Sequence, residues 1–276
     1  LRDPYTIYAK HVLKLSPLDE VDAPPGAAER GTAIHNVLRE FSERHAQELP
    51  TDPAGVLIEM GKKHFAGLEE FPEARAFWWP RFLRIAQWLG GWEAGRRASH
   101  ELVAVEIKGA IEMPLSEGTF LLSGVADRIE RDSAGRYVIL DYKTGSVRTE
   151  KQVRTGLAPQ LTLEAAMLRQ GGFDVGATPI PGGGSVSELA YVALKGGARA
   201  GEFMPIDFKD GTPDAQADRA LEKLSELVRR FDDDREPYRS LVHPMWKARY
   251  GDYDHLARVK EWSSTGGPED DIPGAP

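Results

Sequence analysis

An α/β fold, with a mixed central sheet flanked by helices, is predicted by three observations. Helical and strand periodicities follow one another in the order helix, three strands, helix, strand, an arrangement that packs as layers around a sheet. Two β-compatible runs are joined by turn chemistry at Asp132-Ser133-Ala134-Gly135, and the second run closes on Asp141-Tyr142-Lys143. A long aromatic-rich helical stretch, residues 52–98, stands between the first helix and the first strand and reads as a helical insertion.

Residues 4–15 are expected to form a short helix and residues 17–26, rich in Pro and Ala, a linker. In residues 29–47 the apolar positions Ile34, Val37, Leu38 and Phe41 recur at helical spacing, with His35 beside the stripe. Such a histidine is either a hydrogen-bonded core residue or a ligand; His45 and His64 have no motif around them and read as ordinary helix histidines. Within the insertion, Phe77, Phe82, Ile85 and Leu89 predict one packed face. Aromatic residues there, Trp79 among them, are assigned to the core rather than to a base-stacking channel. Residues 100–114 alternate as a strand, and residues 121–130 and 136–142 form a hairpin.

Residues 159–170 are a helix with Pro159 at a permitted early position. Residues 171–184 are a Gly/Pro loop, and Gly182-Gly183-Gly184-Ser185 lacks the following Lys-Ser/Thr of a phosphate loop. Residues 188–195 are a further strand, and residues 211–234 an amphipathic helix with Leu221, Leu224, Val228 and Phe231 on one side. The domain is expected to span residues 1–265, followed by a disordered acidic, Pro/Gly-rich tail at 266–276.

The chemistry concentrates in the hairpin. Asp127 and Asp141 offer oxygen ligands to a hard divalent cation, and strand alternation puts Asp141 and Lys143 on one face with Tyr142 on the other. A lysine beside metal-binding acids suits phosphodiester hydrolysis, where negative charge develops on phosphorus-bound oxygen. The alternative is a solvated D-x-K pair of little energetic weight, and spacing alone leaves both open.

Four motifs in order resemble the PD-(D/E)xK nucleases of the RecB and Cas4 type: Arg30-Gly31-Thr32-Ala33-Ile34-His35, Gly124-Val125-Ala126-Asp127-Arg128, Asp141-Tyr142-Lys143-Thr144-Gly145 and Pro159-Gln160-Leu161. The resemblance implies a restriction-endonuclease-like core in which His35, Asp127, Asp141 and the main-chain carbonyl of Tyr142 hold Mg²⁺ or Mn²⁺. It makes Asp127, Asp141, Lys143 and Gln160 the catalytic set. Glu164 stands where these relatives carry Tyr. Arg128, Arg148, Lys151 and Arg154 surround the motifs in sequence and are expected to line a DNA path, or else to be solvated surface cations. Both ends of the chain, Leu1-Arg2-Asp3-Pro4-Tyr5-Thr6-Ile7-Tyr8-Ala9 and Tyr253-Asp254-His255-Leu256-Ala257-Arg258 with Glu261-Trp262-Ser263, resemble the C-terminal region of AddB-type subunits. This implies exonucleolytic work on single strands at unwound DNA ends in double-strand-break repair, with an AddA-type helicase-nuclease subunit as partner.

The chain opens at Leu1 inside a helical pattern, which fits an excised domain. A catalytically inactive DNA-binding or scaffolding module is the rival reading, supported by Glu164 and the acidic charge; a small-phosphoester hydrolase is a third.

With 43 Asp and Glu against 35 Lys and Arg, the net charge of −8 argues against a broad basic nucleic-acid surface, so attraction to phosphate must be local. The absence of Cys excludes disulfides and cysteine-ligated zinc. Many relatives staple their two ends with a four-cysteine iron-sulfur cluster. By loose correspondence Asp3, Tyr250, Tyr253 and Val259 occupy those places, so no such cluster is expected. Nothing resembles a membrane span or a secretion signal, and a cytoplasmic location is expected.

Overall fold

The computed structural model describes residues 3–16, 18, 25–173, 180–209, 211–240 and 252–258. The chain divides into two compact units, Leu1–Ala23 with Arg230–Pro276, and Pro24–Arg229, the second of which carries every predicted site residue.

In the larger unit the helices α2 (Ala27–Arg44), α3 (Pro53–His64) and α4 (Pro72–Arg97) precede three strands, β1 (His100–Pro114), β2 (Thr119–Asp132) and β3 (Tyr137–Lys143). A short α5 (Glu150–Arg154) and α6 (Gln160–Arg169) lead to β4 (Val186–Leu194), β5 (Gly201–Pro205) and α7 (Pro213–Phe231). The sheet runs β1-β2-β3-β4-β5, antiparallel throughout except for the parallel β3–β4 pair. That parallel pair requires a crossover, and α5 and α6 supply it.

Two apolar layers sandwich the sheet. On one face, Ile34, Val37, Leu38 and Phe41 of α2 pack with Phe82, Ile85 and Leu89 of α4 against Val138, Leu140 and Tyr142 of β3. On the other, Leu161, Ala165 and Leu168 of α6 pack against Ile129, Ile139 and Leu189. Strand alternation is thereby legible in β3: even positions face α2–α4, odd positions face α6. The mixed α/β sheet and its helical insertion are as the sequence predicts.

Three details differ. The elements α5 and β5 were not predicted: the first is five residues long, and the second, Gly201-Glu202-Phe203-Met204-Pro205, has neither a clean alternation nor a β-branched run. Phe77 does not join the packed face; it is 54 % exposed with the Arg81 guanidinium 3.7 Å over its ring, and Trp78 is buried in its stead. Trp79 is half-buried, 5.9 Å from Phe65 and 5.6 Å from Phe82 between ring centroids. Trp79→Ala is therefore expected to cost about 1–3 kcal/mol of stability and to leave single-stranded DNA affinity unchanged, measurable by urea unfolding and fluorescence anisotropy.

In the smaller unit α1 (Pro4–Ile7) continues as a π-helical turn, Tyr8–Val12. Tyr238 packs against Tyr8 and Phe231 at 5.6 and 4.8 Å. Tyr253 is buried and its hydroxyl donates to the Leu15 carbonyl at 2.7 Å; Tyr250, Val259 and the tail at 266–276 lie outside the described residues. Among the described residues no helix is long and apolar enough to cross a membrane.

Candidate active site

The site forms at the open end of the β2–β3 hairpin. The last ladder pair there is Arg128 with Leu140, which leaves Asp127 and Asp141 side by side just beyond it. Asp127 turns one oxygen, Oδ2, across to the Tyr142 backbone N–H at 2.8 Å. The carboxylate thus replaces a missing ladder acceptor, satisfies a buried N–H, and is itself held in one orientation.

Helix α2 delivers His35 to this point through the two residues that open its motif. Arg30 Nη2 donates to the Thr144 carbonyl at 3.3 Å, and the missing side chain of Gly31 lets the helix approach, since a Cβ there would sit 3.1 Å from Thr144 Oγ1. His35 Nδ1 then lies 3.9 Å from Asp127 Oδ2 and 3.8 Å from Glu106 Oε1.

Glu106 is the residue that sequence reasoning missed. It comes from β1 with a φ of 45°, a left-handed conformation unusual for a non-glycine residue. Its effect is visible in the packing: Ala104 and Ile107, three apart, feed the same apolar layer, as do Ala126 and Ile129 opposite them. Simple alternation would separate each pair, so both strands change phase at the Glu106–Asp127 position. Strain of this kind is held where the surroundings dictate it and often marks a functional site. The available signal was an acid inside the apolar run Leu102-Val103-Ala104-Val105-Glu106-Ile107.

A second cluster adjoins the first. Lys143 Nζ lies 2.9 Å from Asp141 Oδ1 and 2.7 Å from Oδ2, and donates to Gln160 Oε1 at 3.3 Å. Gln160, at the first position of α6, donates from Nε2 to Asp141 Oδ1 at 2.6 Å and to Glu164 Oε1 at 3.1 Å. Asp141, Lys143 and Gln160 are thus brought together, with Asp127 and His35 beside them.

The electrostatics are those of crowded, half-desolvated acids. Burial and then the neighbouring Asp141 push Asp127 up to about 6, against the opposing pull of His35 and the Tyr142 N–H. Burial raises Asp141 too, opposed by Lys143 and Gln160. Glu164 is pushed up to about 8 by burial and by Asp141. His35 is raised chiefly by the Glu106 carboxylate, with burial opposing and Asp127 adding. The acids are raised first by burial, and Asp127 and Glu164 then by the neighbouring Asp141, so together with the raised His35 they describe buried acids in want of a compensating cation.

A divalent cation fits that want. Ligand atoms of His35, Glu106 and Asp127 all lie within 4.8 Å of one another, a little wider than the roughly 3 Å between adjacent ligands of a small octahedral ion. Lys143 hydrogen-bonds Asp141 Oδ1, while Oδ2 is buried and, though paired with the ammonium at 2.7 Å, accepts no hydrogen bond, which leaves a lone pair that a cation could take.

The four predicted DNA contacts fare differently. Arg128 is fully buried, bound by Glu93 and Glu130, and cannot meet DNA. The physical reason is its ladder pairing with Leu140, whose face packs under α4. Arg148 and Lys151 are exposed; Arg154 is half-buried, donating to the Asp207 carbonyl at 3.4 Å. Arg148 is near enough to influence Tyr191, the β4 partner of Asp141 in the parallel ladder.

A mixed sheet flanked by helices, with carboxylates and a lysine at the open end of its central hairpin, is consistent with an α/β nuclease fold. The family model of the PD-(D/E)XK nuclease superfamily matches residues 3–248, and the chain belongs to that superfamily. Curated relatives include uncharacterized proteins of Rickettsia bellii, 27 % identical over 93 % of this chain and 31 % of that protein, and of Rickettsia felis, 30 % identical over 63 % of this chain and 21 % of that protein. A Rickettsia typhi protein is also 30 % identical, over 63 % of the chain and 21 % of its own length. The chain spans less than a third of the length of these relatives.

Proposed function

We infer that this chain is a divalent-metal-dependent deoxyribonuclease. The observation that supports it best is the meeting of His35, Glu106 and Asp127, from three separate elements, beside Asp141, Lys143 and Gln160. His35, Glu106, Asp127, Asp141 and the Tyr142 carbonyl would hold Mg²⁺ or Mn²⁺, of which the Tyr142 carbonyl rests on the family resemblance. Such an ion, when bound, lowers the pKa of water and offsets charge on a phosphate.

The remaining roles fall to the chain's own groups. Lys143 places a positive charge, steadied by Asp141 and Gln160, where the attacked phosphate gains negative charge. Gln160, exposed at the start of α6, can hydrogen-bond a phosphate oxygen or a water without adding charge. Asp127 is oriented by the Tyr142 N–H, so its free oxygen need not reorganise. Arg148 and Lys151 are the exposed cations that would follow the strand away from the site.

The resemblance to AddB-type subunits extends this reading to single strands at unwound DNA ends, with an AddA-type helicase-nuclease subunit as partner and a cytoplasmic setting. End-labelled single- and double-stranded DNA incubated with Mg²⁺, Mn²⁺ or EDTA tests the core of it. Wild type is expected to shorten single strands only with metal, and Lys143→Ala to lose cleavage by about 10²–10³-fold with its melting temperature retained. Metal-dependent cleavage by Lys143→Ala at the wild-type rate would refute the assignment.

A further inference from the structure

Glu164 follows Gln160 by one helical turn on α6, so the two side chains lie on one face. Unlike Gln160, which is exposed, Glu164 is 3 % exposed, and it has no charged partner of opposite sign within hydrogen-bonding contact among the described residues. Its Oε1 accepts from Gln160 Nε2, and its Oε2 is buried with no hydrogen-bond partner. A buried carboxyl so placed is costly, and the reading of the active site above gives it no task.

The amide of Gln160 has one donor end and one acceptor end. Its donor end meets an oxygen of each of two acids, Asp141 at 2.6 Å and Glu164 at 3.1 Å, while its acceptor end faces the Lys143 ammonium at 3.3 Å. Rotating the amide by half a turn would set its carbonyl against both acids and its NH₂ against the ammonium. Of the two acids, Asp141 is also claimed by Lys143, and by a cation when one is bound. Glu164 is the acceptor that has no second claim on it.

We propose that Glu164 is a positioning residue: it fixes the side-chain amide of Gln160 so that the carbonyl oxygen of Gln160 stays on Lys143. Without Glu164 the amide would keep only the ammonium and an acid that Lys143 also engages, and its rotamer would be held less firmly. Held by Glu164, it keeps Lys143 aimed and its own N–H on Asp141 while that acid exchanges contacts.

This rests on the nuclease reading for its consequence but not for its geometry, and the test separates the two. The side-chain amide of Gln160, assigned by its loss in Gln160→Ala, is followed by ¹⁵N relaxation in wild type, Glu164→Gln and Glu164→Met. Wild type and Glu164→Gln, whose carbonyl can still accept, are expected to hold that amide in the rigid range, while Glu164→Met lets its order parameter fall below about 0.6. In cleavage assays Glu164→Met is expected to lose about 10–100-fold in kcat with KM for DNA unchanged, and to add nothing in a Gln160→Ala background.

A rigid Gln160 amide in Glu164→Met, or losses that multiply with Gln160→Ala, would overturn the proposal. If the methionine variant does not fold, Glu164→Ser makes the same deletion with less bulk and is judged by the same outcomes. Wild type that cleaves no DNA would remove the nuclease reading, and the amide measurement would still decide the positioning role.

Discussion

Arg128→Met is expected to destabilise the fold by about 3–5 kcal/mol, the scale of an uncompensated buried charge. The guanidinium donates from Nε to Glu130 Oε1 at 2.7 Å, from Nη2 to Glu93 Oε2 at 3.2 Å and from Nη1 to the Tyr142 hydroxyl at 3.1 Å, and also pairs with Glu93 Oε1. Around it Arg96 binds Glu130 and Glu188 at 2.7 and 2.8 Å, and Arg97 binds Glu93 at 3.2 Å. Three guanidinium groups thus face three carboxylates beneath α4, with Trp92 5.3 Å from the Arg128 guanidinium carbon. Removing Arg128 leaves Glu93 and Glu130, both buried, with one cation each. Arg128→Lys is expected to recover little, because an ammonium cannot match the forked contacts. Urea unfolding measures the loss. A DNA-contacting arginine would give the opposite pattern, unchanged stability with weaker binding and a shallower salt dependence.

That network also explains why one part of the site was legible in the sequence and another was not. Asp127, Asp141, Lys143, Gln160 and His35 carry motif spacing, and strand alternation from Val138 to Lys143 correctly puts Asp141 with Lys143 and turns Tyr142 away, where its hydroxyl meets Arg128. Alternation fails where the backbone leaves the regular strand. Glu106, at φ 45°, changes the phase of β1, and the same change in β2 leaves Asp127 at the site while Arg128 turns beneath α4. No pattern of residue types reveals a positive φ at a glutamate. Hence the sequence does not reveal Glu106, and it places Arg128, adjacent to a site residue, on the DNA path. The helices α2 to α4 and the strands β1 to β4 were legible because each carries a long apolar stripe or run, whereas α5 and β5 are too short to show one.

The phase change has a functional consequence as well. Regular alternation in β1 and β2 would set Glu106 and Asp127 by the apolar neighbours they now interrupt. Breaking it leaves Glu106 and Asp127 each with a partly open side chain near His35. The strain at Glu106 and the desolvation of Asp127 are both costs that binding of a cation would offset under the proposed function, which would link stability without metal to metal affinity through the same residues.

Asp127→Ala is expected to lower cleavage by at least about 10³-fold, since it removes both a candidate ligand and the acceptor of the Tyr142 N–H. It should also alter how stability depends on pH. In the folded protein without metal, Asp127 sits near 6 rather than 3.8 and Glu164 near 8 rather than 4.5, and His35 is raised above 6.5. A group whose proton is bound more tightly in the folded state contributes stability below its unfolded value, and that contribution is lost as pH rises to the folded one. All three therefore act in one direction between about pH 4 and 8.

Glu29 and Glu40, held below 4.5 by backbone N–H groups and by His64 respectively, act oppositely but at lower pH. The protein in EDTA is thus expected to melt at progressively lower temperature from about pH 5 to 8, and saturating Mg²⁺ or Mn²⁺ to reverse the trend by replacing the protons with a cation. In Asp127→Ala the decline between about pH 5 and 6 should flatten and the metal-induced rise should shrink. Calorimetric melting across this range decides it: a wild-type profile in EDTA that is flat or rises with pH, or an Asp127→Ala profile identical to wild type with and without metal, would exclude Asp127 as the group that couples proton release to metal binding.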